Sequence, residues 1–108
     1  MKIATKTTFR RDVRVFTPID GGHRQETLKA TFNYLGVEEV DKFDLKTTDG
    51  TTEFLKAVVA RLDGLTDESG ADVLYNDEVR DQLFNLQHVR LALCKEFFDT
   101  VSKAKSGN

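Results

Sequence analysis

The 108-residue chain holds one cysteine, one proline, one methionine and no tryptophan, and nowhere is it apolar for the length of a membrane span. A lone cysteine, Cys94, cannot close an internal disulfide, so the fold must rest on packing and a reducing compartment is expected. Ile3-Ala4-Thr5-Lys6-Thr7-Thr8, after Met1-Lys2, has no apolar core of signal-peptide length, which points to a cytoplasmic protein. An excess of either charge is missing as well. Sixteen Lys and Arg face eighteen Asp and Glu, a formal net charge of −2, so no overall field would gather nucleic acid by counterion release.

What is present is apolar material: 39% hydrophobic residues, including eight Phe and two Tyr. This suits one core in one domain over residues 1–108, with 1–7 and 103–108 expected as flexible ends. From Phe9 to Phe16, Val13 and Val15 alternate with Arg14 and Phe16, which predicts a strand. Thr27 to Tyr34 predicts a second, with Leu28, Ala30, Phe32 and Tyr34 on one face. Between them Thr17-Pro18-Ile19-Asp20-Gly21-Gly22-His23 holds the turn residues for an antiparallel hairpin. Two strands are marginal in water, so the Leu28, Phe32 and Tyr34 face needs a cover from later helices or another subunit.

Three to four helices are expected after the hairpin, which makes the fold class α+β. A short one spans Val37 to Leu45. A longer one, capped by Thr51 or Thr52, carries Phe54, Leu55, Val58, Val59 and Leu62 and stops at Gly64. A third starts at the N-cap Asn76, has Asp77 and Glu78 in its first turn, and runs to about Asn85. The last, Gln87 to Lys103, spreads large apolar residues over an arc of roughly 200° at about 100° per residue. One stripe is Val89, Leu93, Phe97 and Val101, and beside it lies a second of Leu91, Cys94 and Phe98. The second stripe is either further core or, as an aromatic member suits, a protein interface. On the interface reading Phe98→Glu is expected to weaken association and leave the fold intact, and on the core reading to unfold the chain.

The search for chemistry returns little. His88 and Cys94 are six residues apart on one helix, not at the spacing that lets side chains meet. His23 follows Gly21-Gly22, but that turn joins strands and lacks a P-loop's lysine and spacing. Asp67-Glu68-Ser69-Gly70-Ala71-Asp72 lacks the alternating acids and distant glutamate of an EF-hand loop. Glu38-Glu39 and Asp77-Glu78 are adjacent pairs that diverge on a helix. No catalytic, metal or cofactor site is expected. The interface candidates are Leu91, Cys94, Phe98, Val101, Leu28, Phe32 and Tyr34.

Several stretches together resemble the tail assembly chaperones of long-tailed bacteriophages: Thr17 to Gly22 between two strands, Thr27 to Leu35, Phe54 to Gly70, Tyr75-Asn76-Asp77-Glu78-Val79, and Val89-Arg90-Leu91-Ala92-Leu93. The likeness spans most of the chain. It departs at Leu62, where many members carry Trp. The resemblance implies a non-catalytic protein of the host cytoplasm that binds the tape-measure protein and tail-tube subunits, self-associates along them, and is absent from the virion. It also implies that this is the short form of a frameshifted pair, consistent with the polar Ser102 to Asn108 tail. A neck or tail-completion subunit, a generic protein-binding domain and a small enzyme are the competing readings.

Overall fold

Alternation over β1 (Thr8–Ile19) and β2 (Gly22–Asn33) builds a twelve-residue antiparallel hairpin in a computed structural model that describes residues 1–3 and 7–102. Its loop is only Asp20-Gly21, and Gly21 takes φ 77°, which glycine adopts freely. The strands are therefore longer than the broad turn signal predicted. Pro18 sits inside β1, as it can on a strand at the edge of a sheet.

Four helices lie among the described residues, α1 (Val37–Val40), α2 (Thr48–Val58), α3 (Asp77–Phe84) and α4 (Gln87–Ser102), so the predicted α+β class is the observed one. No described helix is long and apolar enough to cross a membrane. Asn76 caps α3 as predicted, its Oδ1 accepting from the Val79 amide at 2.8 Å. The expectations for residues 4–6 and for Lys103 onward lie outside the described residues.

Two elements depart from the sequence reading, and the first is α1, which stops at Val40 instead of running to Leu45. The long helix expected to run through Leu62 ends at Val58, and Val59–Asp63 forms β3, a third strand beside β2 in the order β1-β2-β3. Its register skips: Ala30 faces Leu62, Thr31 faces Arg61, and Phe32 faces Val59, which leaves Ala60 as an extra residue. This bulge turns both Val59 and Leu62 inward, to 4% and 0% exposure. The four-residue steps from Phe54 through Val58 to Leu62 that suggested a helix thus run out of α2 into a bulged strand. The start differs too. Thr47, not Thr51 or Thr52, caps α2, its Oγ1 accepting from the Gly50 amide at 3.0 Å. Gly50 is required there, since a Cβ would overlap the Asp44 carbonyl.

The core lies between the sheet and α2 and α4. Val13, Val15, Leu28, Ala30 and Phe32 from the hairpin meet Phe54, Leu55 and Val58 of α2 and Val89, Leu93 and Phe97 of α4. Phe97 is the hub, with ring centroids 5.7 Å from Phe32, 5.5 Å from Phe54 and 6.0 Å from Phe9. Burying each such ring contributes roughly 1.5–3 kcal/mol. The chain thus covers its own hairpin face. Asn33 ties sheet to helix by donating from Nδ2 to the Ala57 carbonyl at 3.1 Å.

Candidate functional site

Val89, Leu93 and Phe97 recur every four residues on α4 and are all buried, so the helix has one inward stripe. Leu91 lies two residues from Val89, about 200° around the helix, and is 71% exposed. It forms a ridge with a trough on each side. The larger trough, about 1290 Å³, separates α4 from the hairpin arm and is lined by Arg14, Phe16, Pro18, Leu91, Ala92 and Lys95. The smaller, about 760 Å³, lies between α4 and the start of α2, and Leu45, Thr52, Phe84, Leu91, Cys94 and Phe98 line part of it.

The larger trough has unlike walls. The hairpin side carries Arg11 and Arg14, and neither has a carboxylate partner among the described residues. On the helix side the charges are already engaged: Lys95 pairs with Asp99, and Glu96 accepts from the Thr100 hydroxyl at 3.1 Å. Both histidines of the chain, His23 and His88, also line this trough. Nearby, Glu26 accepts from the Thr17 hydroxyl at 2.6 Å. That bond, followed by the Arg24 charge, holds the Glu26 carboxyl below its ordinary range.

The predicted interface residues separate into three groups. Leu91, Cys94 and Phe98 share the smaller trough, as one stripe should. Cys94 is half-buried, and burial pushes its thiol up. Phe98 is half-buried and stacked on Phe54 at 5.4 Å with ring planes 5° apart. That contact makes Phe98→Glu a packing lesion as well as a surface change, so Leu91 is the cleaner probe. Val101 is 38% exposed and Tyr34 52% exposed, and neither lines a trough. Leu28 and Phe32, at 7% and 0% exposure, are interior, where they support the hairpin and offer a partner no surface.

Sequence reasoning missed the hairpin wall. Phe16 carried the signal: it falls in phase with Arg14, opposite to buried Val13 and Val15, and is 52% exposed. The acidic loop uses its own donors. The Asp67 Oδ1 accepts from Ser69 Oγ at 2.6 Å, Ser69 N at 2.9 Å and Ala71 N at 3.0 Å, and these bonds lower its pKa. Among the described residues no three His, Cys, Asp or Glu side chains gather as a metal site. Compared with known protein families, curated proteins and solved structures, the chain finds no match.

Proposed function

We propose that this protein is a non-catalytic assembly chaperone of a long-tailed phage, acting in the host cytoplasm. It holds apolar helical stretches of the tape-measure protein, contacts tail-tube subunits, and self-associates along the partner. The phage assignment rests on the resemblance carried by Thr17 to Gly22, Phe54 to Gly70 and Val89 to Leu93. The observation that carries the binding role is Leu91, an exposed apolar ridge between two troughs on a helix whose other face is fully used in the core.

The larger trough exceeds the roughly 300–1,000 Å³ of small-molecule pockets. Its α4 wall runs from Gln87 to Thr100, about 20 Å at 1.5 Å per residue, enough for three to four turns of a partner helix. An amphipathic helix laid in such a groove anchors residues at i, i+3, i+4 and i+7. Many weak sites along one long chain then sum through multivalency.

Co-expression with the tape-measure protein of the same phage tests this. The wild-type chain is expected to co-purify with it, and Leu91→Asp to lose it by at least about tenfold while melting as the wild type does. Failure of the wild-type chain to co-purify overturns the reading. Its presence in purified particles, detected by mass spectrometry, would instead identify a structural subunit of the neck or tail end.

A further inference from the structure

The hairpin leaves one sheet edge open over a defined length. β3 pairs with β2 only from Lys29 to Phe32. From Gly22 to Leu28 no strand among the described residues pairs with that side of β2, and Gly22 to Thr27 are all exposed. With Asp20-Gly21 as a two-residue loop, Ile19 and Gly22 form the closing hydrogen-bonded pair. Alternation along an antiparallel ladder then directs the N–H and C=O of His23, Gln25 and Thr27 away from β1 and into the open edge.

The two outer edges of the hairpin are not equivalent. On the β1 edge the same alternation puts Pro18 at an outward-facing position, where it has no N–H to offer, and Arg10, Asp12 and Arg14 at others. Proline and charge are the usual guards against edge pairing. The β2 edge has no proline, and its midpoint is Gln25.

We propose that the open β2 edge pairs antiparallel with the same edge of a second copy, about a two-fold axis at Gln25; this rests on the self-association in the proposed function and names its surface. In that register Gln25 opposes Gln25 and His23 opposes Thr27 on both sides, giving about six main-chain hydrogen bonds at two per pair. Arg24 opposes Glu26 twice. Within one chain these two side chains meet along the strand at 3.4 Å, both more than half exposed; across the axis they become directly opposed, where unlike charges stabilise and like charges repel. The length fits as well. Gly22 to Leu28 is symmetric about Gln25, so the Asp20-Gly21 turn of each copy ends level with Lys29 of the other, which pairs with Asp63 at the end of β3. The contact is isologous and closes as a dimer.

Sedimentation equilibrium over a range of concentrations tests it. The wild-type chain is expected to dimerise. Gln25→Pro removes an outward N–H from a position like that of Pro18, so the hairpin keeps its internal ladder; it is expected to raise the dissociation constant at least about 30-fold with unchanged circular dichroism. Arg24→Glu and Glu26→Arg each place like charges opposite one another twice and are expected to raise it roughly 5- to 30-fold, and the double swap to restore it. Should Gln25→Pro not fold, the charge swap decides. A wild-type dimer unaffected by these variants overturns this interface and leaves self-association standing. A wild-type chain monomeric to about 1 mM overturns both.

Discussion

From Phe9 to Val15 and from Leu28 to Phe32 the hairpin sends alternate side chains under α4, whereas from Phe16 to Thr27 the same two strands, paired in the same unbroken register, lie in solvent with only Thr17 half-buried. One half is held by burial and the other by its turn, its ladder and the surface contacts of Glu26 with Thr17 and Arg24. A two-stranded ribbon is marginal in water by itself, so the outer half depends on the inner half as its anchor. The pairing is common to both, and what differs is the number of side chains with an apolar partner. Stability is therefore concentrated at one end of the hairpin, and free surface at the other.

Four substitutions test this contrast. The largest effect is expected for Phe97→Ala, which removes the ring that meets Phe9, Phe32 and Phe54; guanidinium unfolding should show a loss of about 3–5 kcal/mol, and a loss under about 1 kcal/mol would dissolve the distinction. Gly50→Ala should cost roughly 1–3 kcal/mol by the same assay, since the added methyl must push α2 off the Asp44 carbonyl. Thr17→Val acts in the outer half. It should raise the Glu26 pKa, followed by NMR titration, and cost under about 1 kcal/mol at neutral pH because the pair is exposed. The sign follows from the lowered pKa: the stabilisation is complete above the unfolded value of about 4.3 and is lost as pH falls through the folded value. Phe16→Ser should change stability by no more than about 0.5 kcal/mol and weaken partner capture, and a large destabilisation would place Phe16 with the inner half.

The inner half was readable from residue order because one rule governed each segment. Period two marked the hairpin, and Asn76 followed by Asp77 and Glu78 marked α3. The four-residue stripe of Val89, Leu93 and Phe97 marked the packed face of α4. β3 was not readable, because a bulge at Ala60 gives a strand the spacing of a helix, and only the open edge of β2 decides between them. Among the site residues Leu91 was legible from its angle around α4. The troughs beside it depend on where the hairpin arm and the start of α2 come to rest, which no local pattern encodes. Leu28 and Phe32 were identified correctly as a face that needs cover, and the distance along the chain to α4 concealed that the cover is internal.

The position of Cys94 has a practical consequence. It is the only thiol in the chain and lies in the smaller trough beside Leu91, half-buried, with its pKa raised by that burial. Thiolate is the reactive form, so alkylation of this residue is expected to be slow and to depend on access to the trough. The protein therefore carries a native chemical clock in one of its two troughs: the rate at which a maleimide consumes Cys94 reports how accessible that trough is, with no label introduced.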